Sequence, residues 1–162
     1  MAAGGSEAGV HDVQFVWPMA QTLDDLLVWH KAREFWEAVN ALLERPGFGK
    51  NRDLLDQIRD ATDSVVSNIA EGFEQPTDRS FALYLYRSKS SAAEVRARLF
   101  IAQRRGYITE PEHDVAVTIG IELARMLAGF IKYLYSCDRK DRGAGQAALN
   151  RPQNKPPASR PR

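Results

Sequence analysis

The stretch from Pro111 to Cys137 carries two apolar rows at once. One is Val115, Ile119, Leu123, Met126, Leu127, Phe130 and Leu134; the other is Val117, Ile121, Ala124, Ala128, Ile131 and Tyr135. Steps of three and four residues predict a helix. Only a narrow strip of Asp114, Thr118, Glu122, Arg125, Lys132 and Ser136 is polar. A helix in a monomeric bundle needs an apolar arc of about 100° or somewhat more. Here the arc is about twice that, so one row is left over once a core is built. Contiguous apolar surface left over marks an interface. Val117, Ile121, Ala128, Ile131 and Tyr135 are therefore the candidate oligomer interface, with a neighbouring helix contributing.

Three more amphipathic stretches precede this one. The first runs from about Asp24 to Leu43, with Thr22 before it as N-cap and Val28, Ala32, Phe35, Trp36, Val39, Leu42 and Leu43 on one face. Pro46-Gly47 ends it. The second runs from about Arg52 to Gly72, capped by Asn51, with Leu54, Leu55, Ile58, Thr62, Val65 and Ile69 as its stripe. Gly72 reads as its left-handed stop. Pro76-Thr77-Asp78 starts the third, which reaches about Arg105 and is small in its middle at Ser88, Ser90, Ser91, Ala92 and Ala93. Thr109 and Glu112 form a capping box for the fourth. No alternating strand pattern competes. The expected fold is all-α, an antiparallel up-down four-helix bundle with disordered termini. Residues 1–21 read as a flexible leader, 22–137 as the bundle, and 138–162 as a basic, Pro-rich disordered tail.

Charge is distributed unevenly. The 162 residues carry a net +1, but residues 138–162 hold seven Lys/Arg against two Asp, a net of +5, leaving 1–137 at −4. Toward the end of the third helix stand Arg96, Arg98, Arg104 and Arg105. Together with Arg139, Lys140 and Arg142 they are candidate contacts for RNA or DNA phosphates, and an oligomer would multiply them. Cys137 is the only cysteine, which fits a reducing cytoplasm. No signal peptide or membrane-spanning run is read in the sequence.

Chemistry has little to work with. Di-iron bundle sites need a Glu-x-x-His on each of two helices, and His11, His30 and His113 lie in three separate segments. Two helix-borne carboxylates, Glu71 and Glu94, are a thin basis for a metal. No serine sits on a nucleophile elbow, and Gly47-Phe48-Gly49-Lys50 lacks the spacing of a phosphate loop. No catalytic residue, metal or cofactor is expected, and the chain is read as a non-enzyme. The polar row beside the second stripe has a simpler role. Asn68 and Glu71 can face Ser88, Ser91 and Glu94 of the third helix in a network that fixes register.

Several of these segments resemble one family. They are Leu27-Val28-Trp29, Gln57-Ile58-Arg59-Asp60-Ala61, Ser67-Asn68-Ile69-Ala70-Glu71-Gly72, Ser91-Ala92-Ala93-Glu94-Val95 and Arg104-Arg105-Gly106-Tyr107-Ile108. Together they are similar to the bacterial four-helix bundle proteins encoded in intervening sequences of 23S ribosomal RNA genes, the S23 family. The resemblance covers about residues 24–137. It implies an up-down bundle that assembles as a homopentamer, with no established catalytic role. Ser90 and Ser88 stand where the family often has Gly and Ala. A related branch, the accessory variability proteins of diversity-generating retroelements, implies another set of partners: a reverse transcriptase and nucleic acid.

Overall fold

The computed structural model describes the backbone of residues 20–149 and the side chains of residues 20–137. Four α-helices account for most of it: α1 (Leu27–Leu43), α2 (Arg52–Phe73), α3 (Asp78–Arg104) and α4 (Glu110–Leu149). Short 3₁₀ turns at Leu23–Asp25 and Pro46–Lys50 precede α1 and α2. Each helix packs on the next in sequence, and α4 closes back on α1. Short loops force each helix to reverse direction, which makes the array up-down.

The helix starts follow from side chains that satisfy the orphan amides of a first turn. Asn51 Oδ1 accepts from Leu54 N at 3.0 Å and Thr77 Oγ1 from Ser80 N at 3.1 Å. At α4, Glu112 accepts from Thr109 N at 2.8 Å, and Glu112 N donates back to Thr109 Oγ1 at 3.4 Å. Thr22 works one step earlier than expected. Its amide donates to Asp25 Oδ2 at 2.8 Å, which locks a 3₁₀ turn, and α1 begins only at Leu27.

Gly72 does not stop α2. The helix runs on to Phe73, and the sole positive-φ glycine among the described residues is Gly106, at +72°. Gly72 serves close packing instead. A methyl there would lie 2.6 Å from Phe81 Cδ2 and 2.8 Å from Tyr84 Cβ. At Gly106 the backbone forms a two-bond C-terminal cap, with Gly106 N donating to Gln103 O and Tyr107 N to Ala102 O.

The core is one cluster drawn from all four helices. Phe35, Phe48, Phe81 and Phe130 are fully buried with Ile58, Ile69, Leu85, Leu99, Leu123 and Leu127. Phe81 meets Phe130 edge-on at 5.3 Å and Phe73 at 6.4 Å. Trp36, expected on the core face, is 37% exposed; its indole N–H donates to Asp63 Oδ1 at 2.7 Å and ties α1 to α2.

The backbone of α4 stays helical to Leu149 rather than ending near Cys137. Loss of apolar periodicity removes a reason to pack, but residues such as Arg139, Lys140, Gln146, Ala147 and Ala148 still favour helix. The leader segment with Phe15 and Trp17, and the Pro-rich residues 150–162, lie outside the described residues.

Candidate functional site

Serines carry the α2–α3 contact. Ser88 is fully buried and its hydroxyl donates to Val65 O at 2.8 Å. Ser64 and Ser91 share a hydrogen bond at 2.9 Å. Asn68 stays on its own helix, donating from Nδ2 to Ser64 O at 2.7 Å and to Ser64 Oγ at 3.0 Å. The relay therefore runs Asn68 to Ser64 to Ser91, and Ser64 is the bridge. Glu71 is exposed and its carboxylate has no partner among the described residues. Glu94 lies on the surface, where its Oε1 receives Arg98 Nε at 3.0 Å and Nη2 at 2.7 Å. Arg98 also reaches Gln57 across the helix contact. Gln57, Ser64, Ser91, Glu94 and Arg98 line a shallow groove of about 270 Å³ together with Asp60 and Ala61. The arrangement sets the register of two helices. No described buried side-chain polar atom lacks a partner.

One Glu-x-x-His spacing does occur, Glu110 to His113, in the first turn of α4. The His113 ring lies against Asp114 at 2.9 Å. Among the described residues no three His, Cys, Asp or Glu side chains converge on a point that could hold a metal ion.

The candidate interface row on α4 divides. Ile131 is 3% exposed and belongs to the core, whereas Val117, Ile121, Ala128 and Tyr135 are half-buried. Val115, expected in the core row, is 62% exposed, and Ala116 takes its place inside. The larger apolar surface is on α3. Leu83, Tyr86, Ser90, Ala93, Ala97 and Phe100 recur at steps of three and four and are all exposed, with Ile101 beside them. Leu83 is 52% and Phe100 56% exposed. Tyr86 lies against Tyr135 at 6.4 Å, so the stripe of α3 meets the half-buried row of α4 at this pair. The heptad-like spacing was visible in the sequence, but the small residues in its middle hid it.

The basic residues separate. Because α3 and α4 run antiparallel, Arg96 lies level with Gly120, where a methyl would sit 3.1 Å from Arg96 Cδ. Arg104 and Arg105 therefore stand at the end where α4 begins. Cys137 lies at the opposite end, near the start of α3: burial pushes the Tyr133 phenol up to about 12, with Cys137 and then Asp78 as further causes. Arg139, Lys140 and Arg142 follow Cys137 on α4, their side chains outside the described residues. Within one copy they are a bundle length from Arg104, roughly 35–40 Å at 1.5 Å per residue. Arg96 lies along its own helix, with Nε 3.4 Å from Ala92 O, and Arg98 is held by Glu94. Arg104 and Arg105 are exposed with no ion pair among the described residues.

The model of the family described as "23S rRNA-intervening sequence protein" matches residues 24–129. Among solved structures, the chain is similar to a protein of unknown function from the S23 ribosomal protein family of Bacteroides thetaiotaomicron VPI-5482, solved at 1.70 Å. The two share 22% identity and a TM-score of 0.60, over 65% of this chain and 99% of that one. This likeness is one of fold. No curated protein matches the chain.

Proposed function

The chain belongs to the 23S rRNA-intervening sequence protein family, and from that premise we propose that it is a non-catalytic assembly protein that joins copies of itself and holds structured RNA. The observation that carries this reading is the exposed stripe of Leu83, Tyr86, Phe100 and Ile101 beside the half-buried row of α4. Four large apolar side chains on one helix face cost solubility unless something covers them. Assembly gives them a partner, and the homopentamer implied by the family resemblance is the form we propose.

Assembly also gives Arg104 and Arg105 a use. Two exposed guanidinium groups on one copy bind phosphates weakly, whereas a ring repeats them around its axis. Structured RNA is the nucleic acid of choice here, in a cytoplasmic setting that suits a free Cys137. Among the described residues no helix is long and apolar enough to cross a membrane.

Light scattering at micromolar concentration tests the assembly. The native chain is expected at a multiple of its 18.2 kDa mass, and Phe100→Asp near the monomer. A native chain that is monomeric throughout removes the reading. Filter binding to a structured RNA across a salt series tests the second part. Each of Arg104→Ala and Arg105→Ala should lower the slope of log K against log salt by about 0.7–0.9 per copy engaged. An unchanged slope takes these residues out of the RNA contact.

A further inference from the structure

Charge is segregated across the bundle. The outward row of α2 is Asp53, Asp56, Asp60, Asp63 and Glu71, with Glu74 just past its end, all exposed. Of the two arginines on this helix, Arg59 is taken up by Asp56 at 3.2 Å, while Arg52 stands exposed at its first residue. The opposite side of the molecule is basic. Arg79, Arg87 and Arg104 on α3, Arg105 just past its end, and Arg125 and Lys132 on α4 are all exposed and border the apolar face. Of its nearby carboxylates, Glu94 is paired with Arg98 and Asp114 lies against the His113 ring, while Glu110 stands exposed at the start of α4.

This pattern restricts what can cover the α3–α4 face. Two copies meeting α3 to α3 would set basic rim against basic rim, which like-charge repulsion disfavours. An acidic rim around an apolar ridge is the complementary surface, and the chain carries one. Trp36 stands 37% exposed between α1 and α2, and Leu55 and Val66 lie half-buried about three turns apart on one edge of α2. The acidic row runs alongside them.

We propose that the α3–α4 face of one copy docks onto the acidic α1–α2 face of a second copy, so that the contact is head-to-tail. It rests on the self-assembly reading above and adds the partner surface. Each copy then offers one face of each kind. Contacts between unlike faces repeat from copy to copy, and close into a ring when the rotation allows it. Salt weakens such a contact because its rims are exposed, while the apolar centre persists.

A charge-swap experiment tests this. The acid-face variant is Asp56→Lys with Glu74→Lys; the basic-face variant is Arg79→Glu with Arg87→Glu. All four side chains are exposed, so both variants should keep the native helical signal. Each alone should assemble with an apparent Kd weakened by about tenfold or more. An equimolar mixture should assemble more tightly than either variant alone, because each variant supplies the face the other lacks, although a ring of odd number keeps one mismatched contact. If the acid-face variant assembles like the native chain, the α1–α2 face is not the partner and the pairing is overturned while assembly stands. Failure of the folded variants to rescue each other overturns it too. A native chain that is monomeric at low and high salt removes assembly itself. If a structured RNA dissociates the native oligomer as it binds, nucleic acid and not a second copy is the occupant of the basic face.

Discussion

The Ser88 hydroxyl donates to the carbonyl oxygen of Val65 at 2.8 Å, from a position with no solvent exposure. The bond is interhelical, and it lets α3 approach the backbone of α2. Val65 O keeps its own helical partner, so removing the hydroxyl strands no group. Ser88→Ala should therefore cost only about 1 kcal/mol. Ser88→Leu must force the helices apart and should cost about 1–3 kcal/mol or more. Urea unfolding of both variants checks the ordering. Equal midpoints would show that the helices are not held close at this point.

Gly72 makes the complementary case at the other end of the same contact. Alanine is the better helix former by about 1 kcal/mol. The added methyl would meet Phe81 Cδ2 at 2.6 Å. That ring is fixed by edge-on contacts with Phe73 and Phe130, so it has little freedom to yield. Steric cost outweighs propensity, and Gly72→Ala should destabilise by about 1–3 kcal/mol overall. A stabilised Gly72→Ala protein in the same unfolding assay would refute the close approach.

These two residues show how far the sequence could be read. Periodicity placed all four helices, because burying an apolar stripe is what makes each one stable. Capping chemistry located Asn51, Thr109 and Glu112, since these bonds are local. Gly72 was misread because its role depends on Phe81, which local sequence does not bring near. Glu71 stands outside the network expected for it for a similar reason: Ser64 and Ser91 satisfy one another across the seam and leave the carboxylate exposed. Periodicity did identify the core face of α3, Phe81, Leu85, Ser88, Ala92, Val95, Leu99 and Ala102; the second, exposed stripe was missed because Ser90, Ala93 and Ala97 in its middle are too small to mark an apolar face. The basic residues of α3 and α4 were grouped by kind, whereas antiparallel packing puts the two groups at opposite ends.

Gly106 and Gly49 should answer the same substitution differently. Gly106 has φ of +72°, which a side chain resists, although nothing lies within 4 Å of where a Cβ would be. Gly106→Ala should cost about 1–2 kcal/mol through backbone strain alone. Gly49 has the same open surroundings and no positive φ. Gly49→Ala should be neutral or stabilising by a few tenths of a kcal/mol, since alanine restricts the unfolded chain. Thermal midpoints of the pair check the contrast; a loss at Gly49 as large as that at Gly106 contradicts it.

Glu112 makes the stability of the α4 start depend on pH. The Thr109 backbone amide, then its hydroxyl, hold this carboxyl below its ordinary value of 4.5, with Arg45 at 2.7 Å adding to the effect. A depressed carboxylate contributes stability that is fully present above its unfolded pKa and is lost as pH falls through the folded one. Asp25 acts in the same direction through the Thr22 backbone amide. Glu112→Gln should therefore melt below the native protein near pH 7. The gap should close as the pH is lowered beneath the carboxylate range, where the native side chain is itself neutral. Melting curves of both proteins from about pH 7 to pH 3 make the comparison. If the gap keeps its neutral-pH size at the acid end, Glu112 supports α4 by shape and neutral hydrogen bonding rather than by charge.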